Sequence, residues 1–169
     1  AKAVRAIDKR RGYVPRGQLF LGIDVIRRIV SSIGKNPTAR VKDAAMAFLT
    51  TYVFLLRMPS ECLPIRVSAS VQRGSEHQAL VSVQDDSITL VLKRRKNKDG
   101  GSVLVRRCWC SSCAVTCPVH VLGKFFIEKG IDSAPFDKFT GKSALTMLRS
   151  WLQYLGVDKA LSYRTHDIR

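Results

Sequence analysis

The chain has 169 residues, 46% of them apolar, and carries 29 Lys and Arg against 13 Asp and Glu, a formal net charge of +16. That is enough for one domain with a real core, and the charge excess points to a polyanionic partner, double-stranded DNA before an anionic membrane surface. No run reaches the ~18 apolar residues of a membrane span, and the opening "AKAVRAIDKRRGYVPRG" has no apolar signal-peptide core, so membrane and secretory functions are set aside.

In chain order, residues 1–17 read as a basic arm or linker and 18–169 as the domain. "QLFLGIDVIRRIVSSIG" puts Leu19, Ile23, Ile26, Val30 and Ile33 at helical spacing, with Gly34 as its stop. The strongest helix is "NPTARVKDAAMAFLTTYVFLL": Asn36 as cap, Pro37 in the first turn, and Val41, Ala45, Phe48, Tyr52 and Leu56 on one face. Two prolines in "RMPSECLP" end it. The pattern then turns to β-branched runs, "ALVSV", "SITLVLK" and "GSVLVRRCW", separated by "QDD" and "KNKDGG". These predict a small three-stranded antiparallel meander. Helical patterning returns in "PVHVLGKFFIEKG" and in "GKSALTMLRSWLQYLG", where Ala144, Leu145, Leu148, Trp151, Leu152 and Leu155 share a side. Thr165 is placed to cap a last helix at "THDIR". The fold class expected is α+β, mainly α.

Three basic features carry candidate chemistry. Arg57 ends the hydrophobic helix in "FLLRMPSEC"; it is either a snorkelling residue at a helix C-terminus or, braced by Glu61, a planar fork aimed at phosphate oxygens. The turn "LKRRKNKDGGS" holds Lys93, Arg94, Arg95, Lys96 and Lys98, a solvated phosphate-binding turn or the source of an amine that protonates a leaving oxygen. His166 and Arg169 stand at i and i+3, so one helix would project both together.

Taken in order, "YVFLLRMPSE", "LVLKRRKNKDGGSVLV" and "THDIR" resemble the first-arginine motif, the lysine-bearing β-hairpin and the His-x-x-Arg box of tyrosine recombinases, the phage-integrase-like enzymes. "RMPSE" with "CWCSSCAVTCPVH" is most similar to the Crypton kind of eukaryotic mobile element. The resemblance runs from about residue 19 to the end. It implies a helical catalytic domain with a small three-stranded antiparallel sheet. It also implies DNA breaking and rejoining through a 3′-phosphotyrosyl intermediate, serving recombination or integration of a transposable element. Arg57 and Arg169 would clamp the scissile phosphate, Lys96 (or Lys98 or Lys93) would protonate the 5′ leaving oxygen, His166 would assist proton transfer, and Glu61 would brace the site. Lys93, Arg94, Arg95 and Lys98 would bind DNA. No metal is required for catalysis. The family's acid stands three residues after its arginine; here Pro59 makes it four.

The family's nucleophilic tyrosine follows the His-x-x-Arg box, whereas Tyr13, Tyr52, Tyr154 and Tyr163 precede it. The expectation is therefore a domain cut short before its nucleophile, inactive by itself, and self-associating on DNA at full length. A nuclear location is expected if the source is eukaryotic, otherwise a cytoplasmic one, and not secretion.

Cys108, Cys110, Cys113, Cys117 and His120 fall within one short segment. They read as a candidate structural zinc site or as a cysteine-rich loop with His120 on the outer face of the next helix. Cys62, Trp109 and Trp151 read as core and His77 as a loop residue. Two rivals to the recombinase remain: a domesticated DNA-binding domain without cleavage activity, and a zinc-stabilised nucleic-acid-binding module.

Overall fold

Apolar residues at three- and four-residue spacing fold the first described segment as helix α1 (Ile23–Ser31), with Ile26 and Ile29 buried. The computed structural model describes residues 19–34, 37–71, 78–95, 100–108, 110 and 117–168. The arm over 1–17, and with it Asn36, His77, Lys96, Lys98, Trp109, Cys113 and Arg169, lies outside the described residues.

Helix α2 (Ala39–Phe54) begins at Thr38, whose Oγ1 accepts the Val41 N–H at 3.4 Å. Pro37 therefore stands before the helix instead of in its first turn, because the Thr38 hydroxyl supplies the cap one residue later. Residues 43–51 are all buried. The spacing of Val41, Ala45, Phe48 and Tyr52 suggests a single apolar face, yet Ala44, Met46, Ala47 and Leu49 are buried too. A helix buried on every side over this stretch is the centre of the fold. Its end also differs from expectation. Leu55 takes the left-handed conformation, φ 54°, and the Leu56 N–H returns to Thr51 O at 2.9 Å. The helix stops before the prolines, and Leu56 leaves its face.

The sheet runs in the order β1 (Ile65–Val67), β2 (Ala79–Gln84), β3 (Ser87–Leu92), β4 (Ser102–Arg107). Strands β2, β3 and β4 form the antiparallel meander read from the sequence, and Asp85–Asp86 make the two-residue turn closed by the Gln84–Ser87 pair. Strand β1 was not legible. It lies parallel to β2, pairing Ile65 with Ala79 and Val67 with Val81, so the sheet is four-stranded and mixed. Three residues between Pro64 and Ser68 are too few to display an alternation. Ile88, Leu90 and Leu92 of β3 point inward and are buried.

Helix α3 (Pro118–Lys129) opens with proline at its first position and stops at Gly130, φ 81°. Its Phe125 and Phe126 pack with Phe136 at centroid distances of 5.3–6.2 Å. Asp43 on α2 pairs with Lys129 Nζ at 2.6 Å, tying the two helices together. Helix α4 (Gly141–Tyr154) is started by a capping box between Thr140 and Ser143 and buries Ala144, Leu148 and Leu152. Trp151 meets Phe48 edge-on at 5.7 Å, a core role as expected. The chain closes in two 3₁₀ turns, Ala160–Ser162 and Thr165–Ile168. The architecture is α+β and mainly helical. No helix among the described residues is long and apolar enough to cross a membrane.

Candidate functional site

Arg57 sits where α2 has ended and a π-helical turn, Met58–Cys62, begins. The Cys62 N–H reaches Arg57 O at 3.2 Å and the Leu63 N–H reaches Met58 O at 3.0 Å, both five residues back. Such a turn is one residue wider than the α-helical one, and Pro59 stands near its start. The wider turn brings the Glu61 carboxylate back over the first amide, so Oε2 accepts the Arg57 N–H at 2.8 Å. Glu61 thus fixes the backbone of Arg57 and not its guanidinium. The carboxylate is only 4% exposed, and its other oxygen faces Arg95 Nε at 4.0 Å.

Arg95 reaches this point from the β3–β4 hairpin and also donates to Leu55 O at 3.2 Å, a carbonyl freed by the end of α2. Two arginines 38 positions apart (57 and 95) are therefore brought to one buried carboxylate. The Arg57 guanidinium is half-buried and makes no hydrogen bond or ion pair among the described residues. The sequence did not separate Arg95 from Arg94; the structure does, since Arg94 is exposed and Arg95 turns inward. Lys93 is exposed, its backbone N–H bound to Gln78 O at 2.9 Å.

His166 lies on the Thr165–Ile168 turn, which packs against α2 and α4. This turn is 3₁₀, not the α-helix expected. It is pinned by the Leu21 N–H to Asp167 O at 2.7 Å and by the Arg164 N–H to Asp167 Oδ2 at 2.7 Å. The Asp167 carboxylate thus holds the N–H of the residue before the turn, while Thr165, the expected cap, is the first residue inside the turn and is buried. His166 is exposed, and among the described residues no hydrogen bond or ion pair joins it to Arg57, Glu61 or Arg95. Lys96, Lys98 and Arg169 lie outside the described residues, so the group brought together is Arg57, Glu61 and Arg95.

Part of the positive charge has internal work. Arg28, Arg66 and Arg149 donate to the backbone carbonyls of Leu155, Asp132 and Tyr163 at 2.7–3.0 Å. Arg106 donates to Val53 O at 2.8 Å and lies over the Phe54 ring.

A second cluster forms where β4 runs out and α3 begins. Cys108, Cys110, Cys117 and His120 bring their ligand atoms within 4.8 Å of one another, and a Cys₃His set of this kind could hold a metal ion. Cys108 Sγ is 2.8 Å from Cys110 Sγ, 3.4 Å from Cys117 Sγ and 3.5 Å from His120 Nδ1. Cys110 Sγ is 3.3 Å from the same nitrogen. The Cys110 thiol is pushed up to about 12, first by its hydrogen bond with Cys108. Desolvation pushes the Cys117 thiol up, but the first amides of α3, at His120 and Val119, and the neighbouring thiols draw it down to about 7. Cys62 belongs elsewhere. It is fully buried in the core, burial pushes its thiol up to about 12, and Sγ contacts Ala47 O at 3.4 Å.

Asp86 was read only as turn material. Its carboxylate lies 3.5 Å from His120 Nε2, and its carbonyl accepts the Cys108 N–H at 2.7 Å. The signal was in the register: pairing Ser87 with Arg107 sets Asp86 beside Cys108. A largely apolar concavity between α2, the sheet and α3, lined by Met46, Val83, Ile88 and Phe125, adjoins the cluster at His120 and contains neither Arg57 nor His166.

Comparison with known proteins gave no matching family model, no matching curated protein and no matching solved structure.

Proposed function

We propose that the chain is the phosphate-binding part of a DNA breaking-and-rejoining enzyme of the tyrosine-recombinase type. The observation that carries this reading is the joint anchoring of Arg57 and Arg95 by Glu61: one carboxylate holds the Arg57 backbone and faces the Arg95 side chain. A half-buried guanidinium on a fixed backbone suits two non-bridging oxygens of a phosphodiester. There it offsets the charge that grows in a pentavalent transition state. In this reading Arg169 completes the clamp and a hairpin lysine, Lys96 or a neighbour, protonates the 5′ leaving oxygen. His166 helps move the nucleophile's proton, and a tyrosine attacks to leave a 3′-phosphotyrosyl link. The partner is double-stranded DNA, held by Arg94 and the hairpin lysines and bound by several copies of the protein together. The metal-binding cluster takes no part in the cleavage.

The test is covalent capture. The encoded protein is mixed with a nicked duplex whose cleaved end diffuses away, and a protein–DNA adduct stable to denaturant is expected. Duplex binding without any adduct would favour a domesticated DNA-binding domain. Binding abolished by chelation yet indifferent to Arg57→Ala would favour a module that reads nucleic acid through its cysteine cluster.

A further inference from the structure

The geometry points to a closed zinc site made of Cys108, Cys110, Cys117 and the Nδ1 of His120, with Asp86 orienting the imidazole from its far side. This assignment does not rest on the DNA-cleavage reading. A zinc ion takes thiolates at about 2.3 Å and imidazole nitrogen at about 2.0–2.1 Å in a tetrahedron, so sulfur–nitrogen edges are about 3.5 Å and sulfur–sulfur edges about 3.8 Å. The sulfur–nitrogen separations of 3.3 and 3.5 Å match that edge. The Cys108 sulfur pairs, at 2.8 and 3.4 Å, have to open by about 1.0 and 0.4 Å to reach that edge.

A histidine bound through one nitrogen commonly gives its other N–H to a carboxylate, which fixes tautomer and ring orientation. Asp86 Oδ1, 3.5 Å from His120 Nε2, stands at that position. Four protein donors leave no open coordination position, so the site is structural and not catalytic. Its place agrees. The cluster lies at the Ser87 and Arg107 ends of β3 and β4, whereas Arg95 enters from the Leu92 and Ser102 ends. Strands of that length separate the two by ~20 Å. The ion would clamp three elements: the Asp85–Asp86 turn, the run-out of β4, and the first turn of α3.

The experiment is metal analysis of protein purified under reducing conditions, followed by chelation and titration with Co²⁺ and then Zn²⁺. One zinc per chain, an intense tetrahedral thiolate–cobalt spectrum and a rise in thermal midpoint on adding zinc are expected. Cys117→Ser should lose the spectrum. Should that variant fail to fold, Asp86→Ala carries the test, because its side chain is 80% exposed. It should fold, keep the tetrahedral spectrum, and bind zinc ~10–100-fold more weakly. A weak octahedral cobalt spectrum, metal-free protein indifferent to zinc, or a native disulfide between any two of these cysteines overturns the site. Unchanged zinc affinity in Asp86→Ala overturns the part given to Asp86.

Discussion

Glu61 accepts the backbone N–H of Arg57 at 2.8 Å, closing a π turn in which the acid follows the arginine by four residues. One carboxylate therefore holds the Arg57 backbone while facing the hairpin through Arg95. Glu61→Ala would leave a part-buried N–H without its acceptor and is expected to cost about 1 kcal/mol in urea unfolding. Glu61→Gln keeps an acceptor and should cost less. Equal stability of the Ala and Gln variants would contradict the capping role.

Leu55 holds φ 54° with a side chain 49% exposed, so strain is borne there with little burial to offset it. Leu55→Gly should stabilise the fold by about 1 kcal/mol, since a Cβ in the left-handed region costs about 1–2. The denaturation midpoint reads this directly, and a fall would show that the Leu55 side chain matters more than its backbone.

Burial holds the Cys62 thiol protonated, with its titration pushed up to about 12 from an unfolded value near 9. Between those limits the native state keeps a proton that the unfolded chain has released, so stability should fall as pH rises above 9. The slope is about 1 kcal/mol per pH unit. Cys62→Ala should remove that slope while lowering stability at neutral pH. A slope unchanged by the substitution would place its origin elsewhere.

Arg94 is exposed where Arg95 is not. Arg94→Ala should weaken duplex binding alike for all sequences and reduce the salt slope by about one. Fluorescence anisotropy across a salt series measures both, and a sequence-dependent loss would mean Arg94 contacts bases.

Legibility followed the length of the pattern. The meander and the helices over 23–31, 118–129 and 141–154 announce themselves by periodicity, capping and turn residues. The helix Ala39–Phe54 does so by its apolar content, which hides that its middle, residues 43–51, has no solvent face. Strand β1 is too short for a period. The terminal 3₁₀ turn is set by partners distant in sequence, Leu21 above all. In the site, Arg57 and Glu61 were visible as a pair, but their relation was not, because a π turn has no sequence period to reveal it. Arg95 and Asp86 became distinct only through strand register, which brings a turn aspartate to a histidine 34 positions away (86 to 120).

The account stands on Arg57 acting at a scissile phosphate rather than merely adding charge. The direct measurement is the rate of covalent DNA capture set beside the dissociation constant for intact duplex, in the full-length protein that carries the attacking tyrosine and in its Arg57→Ala variant. Capture should slow by ~10²–10³-fold, the loss typical of one transition-state donor, with duplex affinity changed by no more than a few-fold. Equal losses in capture and affinity, or capture undiminished, would contradict it.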